Sequence, residues 1–342
     1  MFAITESRPG SLLEPLSLRA LKRFPVKVEQ DAVWIDPQPL DEATPLRAAD
    51  KQPTYVVLGT GAGGSAAIKA RRENGFTGRL VMVEREKQAP YDRTALSKFV
   101  PQGYMDINDV PSLLPESYYQ QQQIERINGN VEKLDSKRHR LRLEGGKTLS
   151  YERLLLATGA TPQRPDLPGK ALRGVQVLLS WEQTATRFFH DLPLNDDGSL
   201  TVDRTMKVSE DIYAIGDIAT FPLDGNPTRI EHWRVAQQHG RVAAGAMMDK
   251  PQPYDAVPFF WTQHYGGRYE YLGHAAKWEQ QEIIGSPDED NFVSLYGLKG
   301  NLVAVVAAGR MRTTGVLLIK MGKKISFAEA QRIVADTREA KS

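Results

Sequence analysis

A chain of 342 residues with 41% hydrophobic and 25% charged residues can bury a substantial core and ordinarily makes two or three domains. A formal charge of +2 argues against nucleic acid or an anionic membrane surface as partner, and no apolar run approaches the ~18 residues that span a bilayer. Cysteine is absent, which excludes a disulfide scaffold, a redox dithiol and thiolate-held metal or iron–sulfur centres; the six histidines include no H-x-x-x-H pair, so no metal site is expected. The N-terminus lacks a secretory apolar core, and a cytoplasmic protein is expected.

Residues 1–50 are rich in proline and hold one plausible strand pair, 24–28 and 32–35, turned by residues 29–31. So short a segment buries little core, so an ordered arm packed on the main domain is expected. Residues 54–84, TYVVLGTGAGGSAAIKARRENGFTGRLVMVE, carry the strongest signal. The apolar run 55–58 suits a strand buried on both faces. Gly59, Gly61 and Gly64 follow in G-x-G-x-x-G spacing: Gly59 turns the chain off the strand, Gly61 lets backbone amides approach a pyrophosphate, and Gly64 allows close helix packing. A helix from Ser65 to about Asn74 then aims its first N–H groups at that anion. A second apolar run ends in Glu84, where a carboxylate accepts from both hydroxyls of an adenosine ribose and repels a 2′-phosphate. Such a unit serves NAD and FAD alike.

Residues 89–104, APYDRTALSKFVPQGY, place Arg93 and Lys98 at a loop-to-helix transition, with Thr94 or Ser97 as the cap. Coming directly after the second strand, these cations stand beside a dinucleotide's pyrophosphate and reactive ring. Residues 123–149 read as short alternating strands with turns at 128–129 and 145–146. Residues 151–158 supply another apolar strand, which closes on Thr158 and Gly159. The stretch DIYAIGD, 211–217, delivers Gly216 and a buried Asp217 to the ligand-facing end of a strand, where a polyol can donate to the carboxylate. A helix is expected from Arg234 to about Met248. From Phe259 the chain is rich in strands and aromatics and closes with a helix near 327–341, which puts a domain boundary near 257.

In order, GTGAGG, Glu84, PYDRTALSK, LLLATGATPQR, YAIGD, EHWRVAQQHG and PFFWTQHYG make residues 50 to about 330 resemble FAD-dependent ferredoxin reductases, in particular the subgroup similar to apoptosis-inducing factor that often carries a Rieske domain. FPVKVEQDAVWID looks like the closing hairpin of such a Rieske domain, without the cluster ligands. The resemblance implies an α/β, glutathione-reductase-type FAD-binding domain of Rossmann-like fold over 51–257, a C-terminal α+β antiparallel-sheet domain over 258–342, and FAD as cofactor. It implies that Gly59, Gly61 and Gly64 hold the pyrophosphate, Glu84 the ribose, and Asp217 the ribityl chain. Arg93 and Lys98 then lie near the flavin and pyrophosphate, Val131, Thr158 and Gly159 line the cofactor, and Glu231, His232 and Trp233 pass the flavin ring with Trp261 beside it. Lys98 and Trp261 are the catalytic candidates; core packing is the competing reading for Trp261 and Phe260.

One departure is large. Members of that family insert a second nucleotide-binding domain, for NAD(P)H, between the LLATG and YAIGD strands. Here about 50 residues separate Gly159 from Tyr213 without a second glycine fingerprint, and a dinucleotide domain needs on the order of 100. The halves of the FAD domain are therefore expected to join directly near 182–188. The expected protein is an FAD-dependent oxidoreductase with an uncovered flavin, exchanging electrons with a small-molecule substrate or a redox protein, as a homodimer or in a hetero-complex. The alternative is a non-catalytic flavin-binding subunit.

Overall fold

The computed structural model describes residues 24, 26–29, 32–38, 53–162, 182–186, 188–264 and 266–337. The chain divides into two compact units, residues 1–254 and 255–342. Among the described residues no helix is long and apolar enough to cross a membrane.

The first unit is built on a parallel sheet of β1 (Thr54–Leu58), β2 (Arg79–Glu84), β3 (Ile124–Asn128), β4 (Arg153–Leu156) and β5 (Ile212–Ala214), in the order β3-β2-β1-β4-β5. Its unbroken apolar runs, such as Leu80–Val83 and Leu154–Leu156, are fully buried, as a sheet covered on both faces requires. Helix α1 (Ala62–Glu73) returns the chain from β1 to β2. The short helices α2 (Thr94–Lys98) and α3 (Glu116–Gln121) lie between β2 and β3. A three-stranded antiparallel ribbon, Val131–Asp135, Arg140–Leu143 and Thr148–Ser150, leads from β3 to β4. Strand order reverses between β1 and β4, so the crevice beyond their carboxyl ends is the ligand-binding place of such a sheet.

One expectation is corrected. Helix α1 starts at Ala62 rather than Ser65, which puts Gly63 and Gly64 in its first turn. Of the short strands expected over 123–149, Ile124–Asn128 forms the edge of the parallel sheet, with only Ile124 and Ile127 buried, and the others form the antiparallel ribbon.

Helix α4 (Trp233–Ala246) crosses α1 at backbone contact distance. A methyl group on Gly240 would sit 2.3 Å from the Gly63 carbonyl oxygen and 3.1 Å from the Ala67 nitrogen. At the other end of this pair Arg71 is fully buried, donates to Ala244 O at 3.1 Å, and lies 4.1 Å and 4.3 Å from the ring centres of Tyr55 and Phe76. Ahead of the sheet, Val26–Glu29 pairs antiparallel with Ala32–Ile35. Val26, Val33, Trp34 and Ile35 are 59% to 64% exposed, so in its described part the arm presents these side chains to solvent instead of burying them as expected. The remainder of residues 1–50 lies outside the described residues, as do residues 163–181.

The second unit is an antiparallel sheet of β6 (Phe259–His264), β7 (Gly267–Gly273), β8 (Gln280–Ser286), β9 (Asn291–Leu298) and β10 (Asn301–Ala308), ordered β6-β7-β10-β9-β8. Helices α5 (Met311–Met321) and α6 (Phe327–Asp336) pack against it, and the Ser326 hydroxyl caps α6 by accepting from the Glu329 N–H. The sequence reading omits α5, because Thr313, Thr314, Val316 and Ile319 are β-branched and Gly315 interrupts them; burial of Thr313, Thr314 and Leu317 against the sheet stabilises it nonetheless.

Two helical glycines predict opposite outcomes. Alanine favours a helix by about 1 kcal/mol over glycine, but crowding a packed site costs typically about 1–3 kcal/mol. At Gly240 the crowded atoms are backbone atoms of α1, so Gly240→Ala is expected to destabilise. Nothing lies within 4 Å of a methyl group on Gly315 in α5, so Gly315→Ala is expected to stabilise. Urea denaturation of both variants checks the pair.

Candidate cofactor site

Backbone segments converge at the β1–β4 end of the sheet. Gly59 has φ +91°, a conformation that costs glycine little and other residues much, and a methyl group there would sit 2.3 Å from Ala157 O. A methyl group on Gly64 would sit 2.0 Å from Gly59 O. Gly61 differs, because nothing lies within 4 Å of where its side chain would point. No side chain caps α1 and no acidic residue lies in its first turn, so its leading N–H groups are left for an anion.

On the neighbouring edge, Thr158 and Gly159 follow β4. Thr158 Oγ1 donates to Ala185 O at 2.9 Å, and the Ala185 N–H donates to Gly159 O at 3.0 Å. Asp217 follows β5 in a 3-10 turn, Gly216–Ile218, and its Oδ2 lies 3.6 Å from the side-chain position of Gly159. The structure thus brings Thr158, Gly159 and Asp217 together. Asp217 is half-buried rather than buried as expected; the fully covered position is Gly216 beside it. The Gly216 N–H donates to Nδ1 of His239 at 3.4 Å. His239, on α4, has no exposure and sits edge-on to Phe221 and Tyr254, with ring centres 4.5 Å and 4.8 Å away. Burial pushes its imidazole down to about 3, so the ring is neutral, with its proton on Nε2 because Nδ1 accepts.

At the tip of β2, Glu84 is buried and already engaged. Its Oε1 accepts from Nε and Nη2 of Arg126 at 3.0 Å and 2.9 Å, and its Oε2 accepts from Thr60 Oγ1 at 2.9 Å. Arg126 also donates to Glu116 at 2.7 Å and lies 5.2 Å from the Tyr119 ring centre. Burial lowers the Arg126 pKa, but the bonds to Glu84 and Glu116 outweigh that and hold it above its ordinary value. A carboxylate oxygen accepts two hydrogen bonds in its plane, so Oε1 is filled and Oε2 keeps one place. The expected contact with both ribose hydroxyls therefore meets a carboxylate with one open position. Arg126 is missed in the sequence because an edge-strand arginine carries no motif.

Arg93 pairs with Glu86 at 2.6 Å, and Tyr91 donates to the same carboxylate at 3.1 Å. Burial raises and Arg93 lowers the Glu86 pKa, with the lowering dominant. Lys98 ends α2; burial lowers its pKa, opposed by Asp92. Neither Thr94 nor Ser97 caps α2, whose N-cap position is Arg93. Just ahead of it the Asp92 carboxylate accepts from the Thr94 N–H at 2.9 Å and from its hydroxyl at 2.6 Å. Val131 opens the ribbon just beyond Asn128, whose side chain donates to the backbone carbonyls of Glu84 and Glu86.

Glu231, His232 and Trp233 lead into α4, with His232 at the N-cap and Trp233 first in the helix. Glu231 forms an ion pair with Arg229, which also donates to Asp217 O at 3.1 Å. In the second unit, Trp261 stands opposite Glu270 on β7, and the Arg268 guanidinium lies 4.6 Å from the Trp261 ring centre while donating to Glu270. Phe260 points to the other face, 5.6 Å from Tyr271, so Trp261 and Phe260 cannot serve one ligand face together.

An open backbone cradle at the switch point of a parallel sheet, with an acid at the next strand tip, is the arrangement found in dinucleotide-binding folds. The sequence profile of the pyridine nucleotide-disulphide oxidoreductase family matches residues 53–191. The chain is 35% identical over 390 residues to the biphenyl dioxygenase system ferredoxin–NAD(+) reductase component of Paraburkholderia xenovorans (strain LB400), covering 81% of this chain and 95% of that protein. It is 20% identical to apoptosis-inducing factor 3 of Mus musculus, covering 87% and 70%. Its fold matches crystal structures of a ferredoxin reductase for the CYP199A2 system from Rhodopseudomonas palustris (TM-score 0.73, 20% identity, 82% and 97% covered) and of a putidaredoxin reductase–putidaredoxin complex (TM-score 0.74, 17% identity, 84% and 99% covered). The chain belongs to the pyridine nucleotide-disulphide oxidoreductase family, in its ferredoxin-reductase and apoptosis-inducing-factor-like branch, and that family typically binds FAD.

Two outcomes are expected. Gly61→Ala leaves the urea midpoint unchanged but weakens FAD binding at least about tenfold, because its methyl group enters the cradle that a pyrophosphate fills; flavin fluorescence titration reads the difference. For His239 the folded state refuses a proton that the unfolded chain accepts below the ordinary histidine value. Its stabilising contribution is therefore complete above that value and lost as pH falls toward the folded one, at up to about 1.4 kcal/mol per pH unit. Denaturation between pH 7 and pH 5 should show that slope in the parent and not in His239→Asn.

Proposed function

We propose that this chain is an FAD-dependent oxidoreductase of ferredoxin-reductase type that exchanges electrons with a small-molecule substrate or a redox protein, without a nicotinamide-binding domain of its own. The observation that carries this reading is the open cradle at Gly61 and the first turn of α1, flanked by Thr158, Gly159 and Asp217. These residues fit FAD: the first-turn N–H groups would hold the pyrophosphate, the open position on Glu84 the adenosine ribose, and Asp217 the ribityl hydroxyls. When bound, FAD supplies hydride and one-electron transfer chemistry. The chain's own residues bind and orient it. Lys98, at the end of α2 and interacting with Asp92, would contribute positive charge to the bound flavin.

Two observations support the lost nicotinamide domain. An alignment of 390 positions that uses 81% of this chain leaves more than a hundred positions of the Paraburkholderia reductase facing gaps. Between β4 and β5 the described residues hold only the short strands Ala160–Pro162, Glu182–Thr184 and Leu200–Thr201, with no helix, whereas a dinucleotide domain takes on the order of 100 residues. Holding a nicotinamide in line for transfer accounts for roughly 7–11 kcal/mol of barrier lowering in well-oriented systems, and a chain without that surface forgoes it. The redox-protein alternative among electron partners draws support from relatives named as ferredoxin reductases and from one solved with putidaredoxin.

Anaerobic mixing of the FAD-loaded protein with NADH or NADPH tests the reading. The visible flavin band is expected to persist for minutes with either nucleotide and to bleach with dithionite. Rapid bleaching by micromolar NADH or NADPH would overturn it.

A further inference from the structure

The segment between β4 and β5 is tied to the cofactor edge at several points. Ala160–Pro162 pairs antiparallel with Glu182–Thr184, and the backbone of Ala185 bonds both the Thr158 hydroxyl and the Gly159 carbonyl. Farther on, Asp197 organises a turn: its Oδ1 accepts from the Ser199 N–H at 2.9 Å and hydroxyl at 2.6 Å, while Thr184 Oγ1 donates to its carbonyl at 3.0 Å. The other carboxylate oxygen, Oδ2, forms an ion pair with Arg229, 3.0 Å from its Nε. Arg229 Nη1 then donates to Asp217 O and to Glu231. One planar guanidinium thus joins three chain segments, which a lysine cannot do with the same fixed geometry. Asp217 is half-buried, and the backbone that carries it is held by His239 at the Gly216 N–H and by Arg229 at the Asp217 carbonyl.

We propose that Arg229 and Asp197 are positioning residues for the cofactor, forming a brace through which the joining segment aims the Asp217 carboxylate at the Gly159 edge. The brace rests on the FAD reading above, since Asp217 is the group it aims.

The test uses the full-length chain with Arg229→Met, Arg229→Lys and Asp197→Asn. FAD affinity is read by flavin fluorescence, and FAD-free protein is followed by urea denaturation and by hydrogen exchange at the Gly216 amide. Arg229→Met is expected to weaken FAD at least about tenfold and Asp197→Asn about threefold, with Arg229→Lys between them, as loss of charge-assisted bonds at a partly exposed site implies. The urea midpoint of Asp197→Asn should stay within error while Gly216 exchange quickens in Arg229→Met. FAD affinities within twofold of the parent for both Arg229→Met and Asp197→Asn would overturn the brace. If Arg229→Met does not fold, Asp197→Asn decides alone. A parent that binds no FAD would overturn the cofactor reading instead, and unchanged Gly216 exchange would then overturn the brace separately.

Discussion

The first unit depends on a contact in which no side chain takes part: Gly64 against Gly59, and Gly59 against Ala157. A methyl group at either glycine would overlap a carbonyl oxygen at 2.0 Å or 2.3 Å, and a side chain there would displace α1 from β1 or β1 from β4. Because the three backbones touch, the leading turn of α1 lies at the point where strand order reverses. Its N–H groups have no side-chain cap, so the helix offers a positive end and free donors in one place. Gly63 and Gly240 repeat the device one layer out, letting α4 close on α1 and carrying His239 beneath Gly216.

Much of this was legible in the sequence, for a physical reason. Each glycine of G-x-G-x-x-G performs a local backbone task that no other residue performs as cheaply, and the apolar runs at 55–58, 80–83 and 154–156 are what a doubly covered sheet requires. What escaped depends on pairing between distant side chains. Arg126 meets Glu84 from 42 positions away and His239 meets Gly216 from 23, and neither separation has a period that composition or spacing reveals. Helix α5 escaped because tertiary burial of Thr313 and Thr314 overrides their intrinsic preference. The alternation of Ile124–Asn128 shows a strand but not its sheet, since a half-covered parallel strand and an antiparallel one share the same pattern.

The candidate site combines groups whose charges are mostly balanced before any ligand arrives. Glu84 is matched by Arg126, Glu86 by Arg93, and Glu231 and Asp197 by Arg229. The exception is the helix end at Gly61, where the balance is left to an incoming anion. On the proposed reading, affinity for a dinucleotide comes from backbone donors, while the paired carboxylates supply direction. None of the backbone segments at the Gly59–Gly64 turn belongs to the stretch between β4 and β5.

The most direct measurement is a count of dinucleotide sites by equilibrium dialysis of the full-length chain against radiolabelled FAD and, separately, NADH. One tightly held FAD per chain with no saturable NADH binding is the result expected of a protein that retains one nucleotide fold and lacks the other. Stoichiometric NADH binding alongside FAD, or no FAD at all, would contradict it.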